Sequence, residues 1–210
     1  MALAVAWTVA RTSASQVPAG HTFESDRPGG PPAAFVFASM RQETPGTWLI
    51  RRDGDNSTLV HTSNAPAGGY GLALAPDAPL RDVQAAVRMR LAGGTRAGGL
   101  VWRYIDAANF YATVLDLSKG ELVLFRVVDG NRIFLESEDG LELDAAAWHT
   151  LKIVHDDSRV VVSLGGIRVF EERDRRSGRG SAGGTGLIAA GGAEVWFDDL
   201  RIELDRDRRR

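Results

Sequence analysis

Short apolar runs recur along this chain, each closed by turn residues, and none holds a sustained 3.6-residue period. The clearest is Val83 to Leu91, where Val83, Ala85, Val87, Met89 and Leu91 alternate with Gln84, Ala86, Arg88 and Arg90. A period of two gives a strand with one face for a core. Two dipeptides that tolerate positive φ mark hairpins. Asp129-Gly130 separates Leu122–Val128 from Asn131–Leu135, and Gly165-Gly166 separates Val160–Leu164 from Ile167–Phe170. In the second hairpin the pattern sets Leu164 opposite Ile167 and Val162 opposite Val169. Further strands are expected at 34–38, 47–51, 58–62, 70–75, 98–105, 109–117, 148–156, 185–190 and 194–204. About a dozen short strands with Gly-rich turns and no long helix predict an all-β sandwich of two antiparallel sheets.

The punctuation sets the expected boundaries. Residues 1–20 read as a signal remnant and linker, 21–204 as one sandwich domain, and 205–210 as a charged tail. Ala2 to Ala10 is apolar apart from Thr8, and small residues follow at Ser13 and Ser15, as at a signal-peptidase site. That reading implies an extracellular or periplasmic location. The Pro- and Gly-rich stretch 17–32 reads as a linker, and 171–184 as a long polar loop. No run reaches the 18 or so apolar residues of a membrane-spanning helix.

Composition narrows the function classes. Acids number 27 and bases 25, a formal charge of −2, so the overall field gives no case for nucleic acid as a partner. Only Lys119 and Lys152 among the bases are lysines. Cysteine is absent, which excludes disulfides, thiolate metal sites and a cysteine nucleophile. The glycines sit in hairpins, not between a strand and a helix, so no phosphate-cradling loop is present, and no G-x-S-x-G elbow occurs. His21, His61, His149 and His155 are scattered with no ligand spacing and read as surface or strand residues. Trp148 reads as a core residue, which turns His149 outward. Asn56-Ser57-Thr58 is a glycosylation sequon, relevant only in a host that glycosylates.

Four blocks carry a family resemblance. They are Gly98–Asp116 (GGLVWRYIDAANFYATVLD), Trp148–Ile153, Val160–Val169, and Thr185–Glu203 with its closing Phe-Asp-Asp-Leu. From about Phe23 to Glu203 the chain resembles the concanavalin A-like, laminin-G-like jelly-roll superfamily, with a leaning towards its bacterial 3-keto-disaccharide hydrolase branch. The resemblance implies a jelly-roll β-sandwich. For function it implies a carbohydrate-interacting module binding on a concave sheet face, a hydrolase acting on glycosides, or a protein–protein interaction domain. Where hydrolase-like members carry an Asp-His-Gly segment, this chain has Ala189-Ala190-Gly191-Gly192, so no imidazole is left there for proton transfer. Glu142-Leu143-Asp144 resembles half of another glycosidase motif, but Ala147 stands where its second acid would be. The favoured expectation is therefore a non-catalytic binder.

Aromatic faces pack on sugar C–H surfaces, and planar polar groups hydrogen-bond hydroxyls. Alternation sends Leu100, Trp102 and Tyr104 to one side, expected to be core, and Arg103 to the other. Arg103, Tyr111, Asp116 and Arg126 are thus the expected ligand contacts on an exposed face, against the simpler reading of a salt-bridged sheet surface. No cofactor is required. Structural calcium is expected as an option at Asp198 and Asp199, with Glu24 and Asp26 as complements, although only one of two neighbouring strand residues can face a cation without a bulge. The arginines at 173, 175, 176 and 179 read as a solvated loop whose own acids dilute the charge.

Overall fold

Among the described residues fifteen strands, numbered in chain order, form two antiparallel sheets. The computed structural model describes residues 19–65, 68–94, 96–175 and 181–204, and no helix occurs among them. The apolar stretch Ala2–Ala10, the tail 205–210 and part of the Arg-rich loop lie outside the described residues.

The first sheet runs β13 (Ile167–Arg173), β12 (Arg159–Leu164), β11 (His149–Asp156), β6 (Val83–Gly94), β15 (Ala193–Leu204), β4 (Asn56–Thr62), β3 (Thr47–Asp53). A short β1 (Ala19–His21) pairs with the end of β15, Ala19 opposite Ile202. The second sheet runs β10 (Asn131–Glu138), β9 (Glu121–Val128), β8 (Asn109–Asp116), β7 (Ala97–Asp106), β14 (Gly184–Ala190), β5 (Tyr70–Leu74), β2 (Val36–Met40). Neighbours in sequence pair within a sheet at the hairpins, while β6, β14 and β15 pair with strands far away in the chain.

The core lies between the sheets and follows the period of two. Val87, Met89 and Leu91 of β6, Leu151 and Ile153 of β11, Val160 and Val162 of β12, and Val195 and Phe197 of β15 are buried on one side. Leu100 and Trp102 of β7, Leu115 of β8, Leu124 of β9 and Leu187 of β14 meet them from the other. Each such side chain contributes roughly 1.5–3 kcal/mol by leaving water. The outer side of the second sheet is apolar as well. There the Tyr70 and Phe125 rings close to 5.8 Å across the strands between them, and the Arg132 guanidinium lies 4.1 Å from the Phe125 ring centre and donates to Tyr70 Oη at 3.2 Å.

Three places depart from the expected pattern, each for a local reason. The stretch 19–32 is no linker: β1 pairs with β15, Phe23 is buried, and Gly29 and Gly30 exchange backbone hydrogen bonds with Ile50. In the β12–β13 hairpin Leu164 faces Ile167 as expected, but a bulge at Val162/Ser163 sets Val162 opposite Phe170, not Val169. In β7 the register breaks after Trp102, where Arg103 takes φ 47°. Two successive residues then face inward, and Tyr104 swings out to lie beside Phe110 instead of joining Trp102 in the core.

Candidate functional site

The bulge at Arg103 decides where the expected contact residues go. Its side chain enters the end of the sandwich, buried to 4% exposure, and donates from Nε to the Arg81 carbonyl at 2.6 Å and from Nη2 to the Asp157 carbonyl at 3.1 Å. Asp82 stands 3.6 Å away, and the Tyr111 ring lies beneath the guanidinium at 5.9 Å. Burial works against the Arg103 charge and lowers its pKa. Tyr111 pairs across the strands with both Trp102 and Arg126, so all three face inward. Tyr111 Oη donates to Asp174 Oδ2 at 2.9 Å, and Arg126 Nη1 meets the same oxygen at 3.1 Å. Burial first, then Asp174, raises the Tyr111 pKa. Trp102 Nε1 donates to His155 Nδ1 at 2.8 Å across the sheet interface. Burial and the nearby Arg103 push the His155 pKa down to about 3.

Arg103, Tyr111 and Arg126 are therefore brought together, but inside the sandwich, where they join the two sheets. The expected exposed face is not where they lie. Asp116 is not with them. It sits at the opposite end of β8, where Oδ1 accepts from the Ser118 backbone at 3.0 Å and Lys119 approaches Oδ2 at 3.3 Å, closing the β8–β9 turn.

Asp198 and Asp199 form a second bulge, with Asp199 at φ 49°. Asp198 accepts from Asn56 Nδ2 at 2.9 Å and from the Asp199 backbone at 2.7 Å. Arg88 Nη1 lies 3.7 Å from Asp198 and 3.1 Å from Asp199. Burial raises the Asp198 pKa. The complements are engaged too: Glu24 accepts from the Ser57 backbone and Asp26 from the Ala33 backbone. Calcium wants six or more free oxygens, and here a guanidinium already fills the cationic place. Among the described residues no three histidines or acids gather as a metal site, so these groups do not fit the expected calcium. The same contact ties up the sequon's Asn56.

The outward face of the first sheet carries a different set. Met89, Leu91, Val195 and Phe197 point into the core, so alternation turns Arg88, Arg90, Glu194 and Trp196 outward. Arg90 pairs with Trp196, and Trp148 stands just before β11 on the far side of β6. These three make one row across three neighbouring strands. The Arg90 guanidinium lies 5.2 Å from the Trp148 ring centre and 4.7 Å from that of Trp196. Arg88 flanks Trp148 at 5.1 Å and Arg51 flanks Trp196 at 6.0 Å. Trp148 and Trp196 are both only half-buried. Carboxylates complete the face. Asp53 meets Arg90 at 3.1 Å, and Glu194 accepts from Trp196 Nε1 at 2.9 Å while lying 3.8 Å from Arg51.

Beyond Glu194 the face opens into a depression. Thr62 pairs with both Glu194 and Thr47, and these threonines floor a hollow of ≈ 1040 Å³ between the β2–β3 and β4–β5 loops. Arg41, Gln42, Glu43 and Asn64 line it, a guanidinium, a carboxylate and two planar amides beside hydroxyls. Below its floor His61 is fully buried between the sheets, 4.6 Å from the Trp48 ring, with its pKa pushed down to about 4 by burial.

No protein-family model and no curated protein sequence matches the chain. Solved structures do. The carbohydrate binding module CBM66 from Bacillus subtilis is 20% identical, covering 80% of this chain and 94% of that one, with a TM-score of 0.65. Domain 4 of AbnA, a GH43 extracellular arabinanase from Geobacillus stearothermophilus solved with arabinotriose, is 13% identical over 88% and 90% of the two chains, TM-score 0.59. A protein of unknown function with a galectin-like fold from Bacillus subtilis is 14% identical over 80% and 88%, TM-score 0.54. The fold is a jelly-roll β-sandwich of the kind these structures share.

In this jelly roll the outward facing of Arg88, Arg90 and Trp196, though not their row, was within reach of the sequence. Arg88 and Arg90 alternate visibly with core residues, and Trp196 lies between Val195 and Phe197. Trp148 misleads because it opens its strand, where burial depends on what crosses the strand end. It packs on arginines at the surface, and it is His149 that stands opposite Met89 on the inward register, its Nε2 reaching the Asp144 carbonyl at 2.7 Å. His155 could have been placed by its register with Leu151 and Ile153. Asp174 has no such signal: it follows β13 and reaches Tyr111 and Arg126 only through the fold.

Proposed function

We propose that this chain is an exported, non-catalytic carbohydrate-interacting module whose binding surface is the outward face of its larger sheet. The observation that carries the reading is Trp196, half-buried between Arg51 and Arg90 and continuous with a polar depression. An aromatic surface flanked by paired donors and acceptors is the chemistry that sugar rings and hydroxyls require. The fold likeness to a carbohydrate binding module and to an arabinanase domain solved with arabinotriose supports the same reading. The binding role expected for Arg103, Tyr111 and Arg126 becomes one of support, since Arg103 is held by the Arg81 and Asp157 carbonyls and the other two by Asp174 inside the sandwich. A hydrolytic role would need a free acid and base facing one ligand. On this face Asp53 is held by Arg90 and Glu194 by Trp196 and Arg51, and among the described lining residues of the depression Glu43 is the one acid, with no histidine beside it.

Affinity electrophoresis through gels containing arabinan, xylan, mannan or mixed-linkage β-glucan tests the proposal. At least one polysaccharide should retard the protein, and Trp196→Ala should migrate freely in it. Equal retardation of both proteins, or retardation by none of the polymers, would overturn the assignment.

A further inference from the structure

The Trp–Arg row also restricts what kind of glycan it can take, an inference that rests on the carbohydrate reading above. We infer that its ligand is a neutral, extended polysaccharide segment of three or more sugar rings, laid across the strands from Trp148 to Trp196 with one end in the adjoining depression.

Charge is the first argument. Along the row three guanidiniums each have a carboxylate: Arg51 with Glu194 at 3.8 Å, Arg88 with Asp199 at 3.1 Å and Arg90 with Asp53 at 3.1 Å. The depression adds Arg41 and Glu43, one of each sign. A sulfated or uronic-acid polymer laid on the row would meet a carboxylate beside each of these three arginines, and inserting its anion would break a pair already made. A neutral diol meets no such conflict. It can accept from the guanidinium and donate to the carboxylate of the same pair, the two hydroxyls satisfying both.

Spacing is the second. Trp148 and Trp196 stand two strand spacings apart, about 10 Å, with Arg90 between them. One sugar ring cannot reach both indoles. In an extended chain, rings one residue apart from a shared neighbour can, with the middle ring over Arg90. The depression beyond Glu194 lies on the Trp196 side, one outward position along the strands from the row, where Thr62 pairs with Glu194. A single sugar would use one aromatic ring alone, so affinity should depend on chain length.

Two measurements on the intact chain test this. The first is gel retardation at low and high salt by neutral arabinan, xylan, mannan and mixed-linkage β-glucan, beside anionic polygalacturonate and heparin. The second is calorimetry with arabinose-, xylose-, mannose- and glucose-based oligomers of one to six rings. Retention by a neutral polymer unchanged by salt is expected. So is an affinity gain of roughly tenfold or more from one ring to three, with Trp148→Ala and Trp196→Ala each cutting the longer oligomers to near the one-ring value. Salt-sensitive retention by the anionic polymers alone would overturn the inference while leaving a carbohydrate function standing. A one-ring ligand binding as tightly as six rings would overturn the extended-chain placement. Retention by no polymer of either kind would remove the inference together with the reading beneath it. Thermal melting of both variants at the wild-type temperature is the control that separates lost binding from lost fold.

Discussion

The two histidines sealed between the sheets should make this protein acid-labile in a defined pH window. Burial holds His61 at about 4 and His155 at about 3, both below the ordinary 6.5. The unfolded chain therefore takes up these protons first as pH falls. The stability they confer is complete above about pH 6.5 and is lost between there and the folded-state values. At about pH 4.5 each site contributes a loss of about 2.5 kcal/mol at 1.36 kcal/mol per unit, together about 5 kcal/mol. That is a large part of the 5–15 kcal/mol typical of a domain. Asp198 acts the other way, because its raised pKa favours the folded state as it protonates. Urea unfolding at about pH 7.5 and 4.5 measures the difference. His61→Phe and His155→Phe should each be less stable at neutral pH, since Trp102 Nε1 or the Pro45 carbonyl loses a partner, but each should flatten the pH dependence by about half. A double variant that keeps the wild-type slope would refute the argument.

Other consequences follow from single contacts. Replacing Arg126 by Met removes the guanidinium facing the buried Asp174 carboxylate and should cost about 3–5 kcal/mol in chemical unfolding; a loss under about 1 kcal/mol would mean the pair is dispensable. Gly183→Ala would drive a Cβ into the Arg103 backbone and disturb the bulge, so melting should fall by several degrees for a loss of roughly 1–3 kcal/mol. Gly130→Ala, which meets nothing within 4 Å but sits at φ 77°, should lose less.

The strands and their pairing were largely legible because a half-buried strand writes its burial at every second residue. Val83–Leu91 and the Gly165-Gly166 hairpin needed nothing more. Part of what escaped is tied to bulges. One added residue reverses every later side chain, and nothing in Arg103 or Tyr104 as residue types announces that reversal. Thus Arg103 was set on the wrong side, whereas Tyr111 and Arg126 face inward because they share the register of Trp102 across β7, β8 and β9, which the single strands do not show. Asp116 lies five residues from Tyr111 on an unbroken strand, so alternation already turns it to the other face, and the length of β8 separates it further. Trp196 and Arg90 could have been paired only with the β6–β15 register, which joins strands more than 100 residues apart.

The most direct test of the account uses the tryptophans as reporters. The chain is labelled with 5-fluorotryptophan, each resonance is assigned by substitution, and the retaining neutral polysaccharide is titrated as an oligomer. The resonances of Trp148 and Trp196 should shift with ligand, while those of the enclosed Trp48 and Trp102 stay still. Shifts at Trp102 with none at Trp148 and Trp196 would place binding at the Arg103 end of the sandwich and contradict the account.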